Sequence, residues 1–258
     1  MTGAHPVLET RGLTIRFGCH VAVNAVSCRF EPGSLTAIVG PNGAGKTTYF
    51  NLVSGQLPAS AGQVLLFGED VTRDAAPVRT RKGMGRAFQL TNLFPGLTAL
   101  ENVRLAVQAR AGLGLNLVSM WSHHVELTEK AEHFLERVAL AERQAALASE
   151  LSHGDQRKLE VAILLALEPD VFMFDEPTAG MSVDEVPVIL ELIHEIKQQR
   201  DKTVLLVEHK MDVVRSLADR IVVLHQGELV ADGAPAEVIA LPVVQEAYLG
   251  VLKGRAGA

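Results

Sequence analysis

The chain has 258 residues, 48% of them hydrophobic, and a formal net charge of -6, which is enough apolar material for a large buried core. With no long run of like charges, this balance excludes broad electrostatic attraction to nucleic acid or anionic lipid. The opening residues MTGAHPVLET lack a basic stretch followed by an apolar core, so no signal peptide is expected. Apolar runs such as 161–167 fall far short of the ~20 residues that span a bilayer, and the expectation is a cytoplasmic protein unless a membrane partner holds it. Cys19 and Cys28 sit in no CxxC or Cys/His pattern and read as free core thiols.

Residues 7–17 and 21–30 alternate in part and are rich in β-branched side chains, which predicts two antiparallel strands around a turn at Gly18. Residues 34–39 are continuously apolar, as in a strand buried on both faces of a parallel sheet. A glycine-rich stretch follows, then a helix from Lys46, with further strands at 63–67 and 85–89. Residues 98–167 show helical spacing throughout, a helical insert. Strand and helix then alternate through 171–174, 184–200, 203–207, 211–218 and 220–224, the pattern of a parallel sheet flanked by helices. The fold expected is α/β, one unit with lobes: 7–90 antiparallel β plus part of the core, 91–167 helical, and 168–258 the rest of the core.

The strongest chemical signal is Gly40-Pro41-Asn42-Gly43-Ala44-Gly45-Lys46-Thr47-Thr48, a full match to G-x-x-x-x-G-K-[ST] between an expected strand and an expected helix. Glycines let the backbone wrap closely enough for successive N–H groups to meet phosphate oxygens, and the helix that starts there adds its positive end. In this pattern Lys46 bridges the β- and γ-phosphates and the Thr47 hydroxyl ligates Mg²⁺. The alternative is a plain glycine-rich turn, which explains neither Lys46 nor the strand-loop-helix context.

The second signal is the apolar strand Val171-Phe172-Met173-Phe174 ending in Asp175-Glu176. Adjacent carboxylates at the end of a buried strand are costly unless they are used. Asp175 suits a Mg²⁺ shell, and Glu176 suits polarisation of an attacking water. Together the two motifs indicate a nucleotide hydrolase without saying which kind.

Leu151-Ser152-His153-Gly154-Asp155-Gln156-Arg157 narrows the kind, because it resembles the signature sequence of ABC ATPases and lies just upstream of the acidic strand. Ser152 is a good helix N-cap with Asp155 three residues on, as in a capping box. The resemblance implies a P-loop NTPase core of the RecA-like kind, with an N-terminal antiparallel β subdomain and an inserted α-helical subdomain. It also implies ATP and Mg²⁺ as ligands, and that Ser152, His153, Gly154 and Asp155 bind the γ-phosphate of ATP held by a second ATPase subunit, the same or a related chain. It carries three further roles: Gln89 contacts Mg²⁺ and the attacking water, His209 hydrogen-bonds the γ-phosphate, and Phe17 stacks on adenine.

The resemblance runs from about residue 7 to residue 250 and is strongest to ATPase subunits of bacterial importers for branched-chain amino acids and for urea or short amides. The features responsible are Arg16-Phe17-Gly18, the run 85–89, Ala179-Gly180-Met181 and the ending Ala247-Tyr248-Leu249-Gly250, an ending that also resembles lipopolysaccharide-export ATPases. The stretches 151–154 and 223–227 lean towards the urea branch. Such a subunit implies integral membrane permeases and, indirectly, an extracytoplasmic solute-binding protein as partners, no nucleic acid, and a peripheral place on the inner face of the membrane. Soluble ABC ATPases of DNA repair or translation are the competing class; a single cassette without a heptad run favours transport. Two positions depart from the family pattern. Asp155 stands where a neutral glutamine or a glutamate is usual, and Ser182 replaces the usual aspartate of the loop after the acidic pair. Trp121, His123 and His124, in the stretch 108–125, read as a surface excursion.

Overall fold

The alternating residues at the start of the chain form β1, Leu8–Phe17, which turns at Gly18 into the antiparallel β2, His20–Phe30. The computed structural model describes residues 6–87, 93–113 and 125–246. These fall into two compact units. The first is drawn from the segments up to Met84, Asp170–Glu176 and from Ile196 onward; the second is drawn from Gly85–Pro169 and Pro177–Glu195. In the first unit β1 also pairs with β4, Ala61–Leu66, and β4 with the short β5, Glu69–Asp70, giving the order β2-β1-β4-β5.

The second sheet holds the expected parallel strands. Its order is β10-β9-β3-β8-β7-β6, with β3 Leu35–Val39, β6 Met84–Ala87, β7 Val171–Asp175, β8 Thr203–Val207, β9 Arg220–His225 and β10 Glu228–Gly233. β3 lies parallel to both β8 and β9, and β7 parallel to β8. Alternation along each strand splits the core into two layers. Ile38, Met173, Leu205, Val222 and Leu224 face one cluster, with Leu13 and Phe30 of the antiparallel sheet and Tyr49 and Phe50 of helix α1, Lys46–Ser54. Ala37, Val39, Ile221 and Val223 face a second cluster with Val214 of α7, Met211–Leu217, and Val238 of α8, Pro235–Ala240. Both faces of the strands are therefore covered, which is why their sequences are continuously apolar.

One buried cation fixes the far end of α1. Arg79, on α2 (Ala76–Arg81), is 2% exposed and donates to the carbonyls of Leu52, Val53, Thr72 and Asp74 at 2.6–3.0 Å. Burial lowers its guanidinium to about 10, still charged near neutrality. It thereby satisfies carbonyls that the helix end leaves open and opposes the negative end of the helix dipole.

In the second unit α3 (Ala99–Arg110), α4 (Val125–Arg137) and α5 (His153–Ala166) pack on one another. The start of α3 has a full capping box, with Thr98 Oγ1 accepting from the Glu101 amide and Glu101 Oε2 accepting from the Thr98 amide. Helix α6, Val186–Gln198, runs on from the loop after β7.

Two expectations need correction. Residues 98–167 are not helical throughout: the chain breaks at Ala139, whose φ is 55°, passes through 3₁₀ turns at Ala141–Arg143 and Ala148–Glu150, and restarts at Ser152. Cys19 is not a core thiol; it is exposed in the β1–β2 turn, whereas Cys28 is buried, and burial pushes its thiol up to about 12. β10, α2 and α8 were not anticipated, because β10 mixes charge with glycine and both helices are a single turn or two carrying proline.

Replacing the buried cation tests its role: Arg79→Met should lower unfolding free energy by about 3 kcal/mol, read by urea denaturation, since at least two carbonyls lose a charged donor without gaining water. A loss below about 0.5 kcal/mol would place the helix end's stability elsewhere.

Candidate functional site

The register of the parallel ladder assembles the site. Ile38 of β3 and Asp175 of β7 are both level with Val207 of β8. The residues just past those carboxyl ends are the glycine-rich loop from Gly40, the acid Glu176, and Glu208-His209. Ligands of open α/β sheets bind at this edge. Val39 is level with Val223 of β9, so the β9–β10 turn at Gln226-Gly227 arrives beside the same loop. The Gly227 amide donates to the Ala44 carbonyl at 3.0 Å.

Two glycines of the loop lie tight against neighbouring backbone. Gly40 has φ 152° and a Cβ there would stand 2.1 Å from the Leu224 carbonyl oxygen; Gly45 has φ 94° and its Cβ would stand 2.6 Å from the Ala22 oxygen. Gly45 caps α1, whose first turn carries no acidic residue, so the positive end of the helix is left open to an anion. Lys46 is 6% exposed and donates across the loop to the carbonyls of Gly40 at 2.7 Å and Pro41 at 3.0 Å. Desolvation lowers its ammonium pKa, and the nearby Glu176 and Asp175 charges oppose that shift.

Glu176 lies in the left-handed region at φ 51°, a conformation costly for a non-glycine residue and frequent at functional sites. Its amide donates to the Val207 carbonyl at 2.9 Å, and its Oε1 is 2.5 Å from His209 Nε2. His209 is in turn fixed from behind by its own amide, which donates to Glu208 Oε2 at 2.7 Å. Asp175, one residue earlier on the strand, is 2% exposed.

Asn42, Gly43, Ala44, Gly45, Lys46, Thr47 and Thr48 line one cleft of about 620 Å³ together with Glu176 and His209. The cleft is completed by His20, Val21, Ala22 and Gln226, none of which the sequence reading placed in the site. Gln226 was findable in part, because Gln-Gly after an apolar strand is a tight-turn signal. Phe17 stands half exposed at the end of β1, register partner of His20, and is not among the cleft's lining residues. Gln89, the tryptophan and paired histidines at 121–124, and the ending 247–250 lie outside the described residues.

Ser152, His153, Gly154 and Asp155 belong to the second unit. Ser152 Oγ accepts from the Asp155 amide at 3.1 Å, so the first half of the expected capping box forms. The second half is replaced, since the Asp155 carboxylate turns to Lys158 Nζ at 3.1 Å. Ser152 and His153 are exposed and Gly154 is buried.

A phosphate-wrapping loop on a helix, a paired acid and histidine at the ends of neighbouring parallel strands, and a separate helical unit define a P-loop nucleotide hydrolase. The sequence profile of the ABC transporter matches residues 23–179. The chain is 39% identical over 253 residues to the high-affinity branched-chain amino acid transport ATP-binding protein BraF of Pseudomonas aeruginosa, covering 96% of this chain and 99% of that one. Among solved structures it is similar to an ATP-binding cassette of an ABC transporter in its ADP conformation, at TM-score 0.80 and 29% identity over 95% of this chain and 99% of the other. It is also similar to a dimeric post-hydrolysis state of an ATP-binding cassette bound to ADP and Pi, at TM-score 0.76 and 27% identity over 88% and 98%. The chain belongs to the ABC transporter family and is an ATP-binding, ATP-hydrolysing transporter subunit.

Gly45 and Gly43 separate conformation from space. Gly45→Ala should weaken ADP binding at least about 100-fold by calorimetry, because strain and a backbone clash add. Gly43→Ala, at φ 79° with nothing within 4 Å of its Cβ, should lose less, about 1–2 kcal/mol from the left-handed backbone alone. Equal losses at the two positions would show that the clash at Ala22 relaxes freely.

Proposed function

We propose that this subunit drives uptake of branched-chain amino acids or a related small solute, as the energising half of an importer. It would sit on the cytoplasmic face of the membrane against integral permeases, with an extracytoplasmic solute-binding protein delivering cargo on the other side. The reading is supported by the likeness to BraF along nearly the full length of both chains. Among the described residues no helix is long and apolar enough to cross a membrane, which fits a subunit that works against separate permeases.

The chemistry proposed follows the cleft. Backbone amides of 42–48 and the amino end of α1 take the phosphates of ATP, and Lys46 exchanges its loop carbonyls for β- and γ-phosphate oxygens. Thr47 and the buried Asp175 would hold Mg²⁺, since they offer a hydroxyl and a carboxylate, the hard oxygen donors it prefers. When bound, Mg²⁺ neutralises charge on the phosphate oxygens. Glu176 accepts a proton from the water whose oxygen attacks the γ-phosphorus as the bond to the β-bridging oxygen breaks. His209 holds the Glu176 carboxylate in place and, lining the same cleft, would donate to a γ-phosphate oxygen. By the family resemblance Gln89 would serve the Mg²⁺ and the attacking water, and Phe17, half exposed at the end of β1, would offer its ring to adenine. Ser152 to Asp155 close on the γ-phosphate of ATP held by a second ATPase subunit, so each site is shared between two chains.

The observation that carries the hydrolytic reading is the 2.5 Å contact between Glu176 and His209 in the cleft that Lys46 lines. Glu176→Gln keeps the shape of the acid and removes its basicity, so turnover should fall about 100-fold or more while ATP affinity is retained. A wild type no faster than this variant would leave only a binding role. For the solute, reconstitution with the permeases and binding protein should show ATPase stimulation by leucine; indifference to leucine with a response to urea or short amides would reassign the cargo.

A further inference from the structure

The two departures from the family pattern, Asp155 and Ser182, are physically joined within the second unit. Lys158 Nζ lies 3.1 Å from Asp155 Oδ1 and 3.0 Å from Glu185 Oε1. The other oxygen of Glu185 accepts from the Ser182 amide at 3.0 Å and from its hydroxyl at 2.8 Å. The Lys158 side chain is 10% exposed and its partners are part exposed, so the two ion pairs are only partly shielded from solvent and salt. The Glu185 carboxylate rests on the glycine of the signature turn, because a Cβ on Gly154 would stand 2.4 Å from Glu185 Oε2.

Local geometry explains each link. Lys158 is one helical turn beyond Asp155 and meets it as an i, i+3 pair. Glu185 is three residues beyond Ser182 and reaches back to its amide, as a carboxylate does in a capping box. The Ser182 amide and Lys158 hold the Glu185 carboxyl down to about 2, so it stays ionised. Two carboxylates thus share one ammonium around Gly154, at the amino end of α5. Remove the ammonium, and two like charges face the helix end that should favour an anion.

We propose that Lys158 is a positioning residue of the composite site: it draws the Asp155 carboxylate along α5 away from the helix's amino end and, through Glu185, ties the Ser182 loop to the signature turn. The two segments are then presented to the second subunit's nucleotide as one piece. Ser182 keeps this link without the usual aspartate, since its amide and hydroxyl donate to a carboxylate that another acid would repel. The proposal rests on the assignment of 152–155 to a phosphate held by a second subunit.

The test uses the purified full-length chain, with ATPase rates measured over a range of ATP and protein concentrations, ADP affinity measured separately, and thermal midpoints recorded. The wild-type rate should rise faster than linearly with protein concentration. Lys158→Met should lose at least tenfold in kcat/KM while ADP affinity stays within twofold. Lys158→Arg should stay within threefold of wild type, and Lys158→Met/Asp155→Asn should regain at least fivefold over the single variant. Lys158→Gln carries the same expectation should the methionine variant fail to fold. A linear wild-type rate would remove the composite site and this proposal with it. A supralinear wild-type rate with an unimpaired Lys158→Met, or a double variant no better than the single, would leave the composite site standing and overturn the clasp alone.

Discussion

The parallel pairing of β3, β8 and β7 is the constraint on which the site depends. Its backbone bonds set Ile38 and Asp175 both level with Val207. From that register the chemistry follows without further adjustment: the glycine-rich loop leaves one strand, the acid leaves another, and the histidine leaves the strand between them. A slip of one residue on β7 would turn Asp175 and Glu176 to opposite faces. Apolar side chains on both faces of all three strands hold the register, so the precision of a polar cleft comes from a layer that is mostly apolar.

Much of this was legible in the sequence, and for a physical reason. The strands are buried on both sides, so they read as unbroken apolar runs, and the loop and acids interrupt those runs where the strands end. Gly40, Gly45 and Lys46 were legible because a phosphate loop tolerates few alternatives at each position. Gln226 and His20 were less legible, since their contribution depends on which strands become neighbours. β9 pairs with β3 across more than half the length of the chain, and no local signal carries that information. The broken helical region was misread because the apolar spacing of 138–151 continues a helical rhythm, while positive φ at Ala139 and the N-cap at Ser152 break the backbone beneath it.

The same distinction separates the two unusual positions from their meaning. In the sequence Asp155 and Ser182 are separate oddities, an extra charge in one motif and a missing charge in another. In the structure they lie at the two ends of one line of contacts through Lys158 and Glu185. A gained carboxylate in one place and a lost one in the other leaves the local charge nearly as it was. Substitutions that look independent along the chain can be a single rearrangement of charge in space.

The backbone of Glu176 carries a different consequence. Its φ of 51° belongs to a region where glycine and asparagine are comfortable and glutamate is not. On the proposed role of Glu176 as the acceptor of the water's proton, the chain holds an ill-suited residue there for its carboxylate, and local comfort and activity then pull in opposite directions. A laboratory selection for heat resistance alone would drift towards glycine at this position and return a sturdier protein that has lost its chemistry. Any stabilisation of this fold therefore has to keep position 176 fixed from the outset.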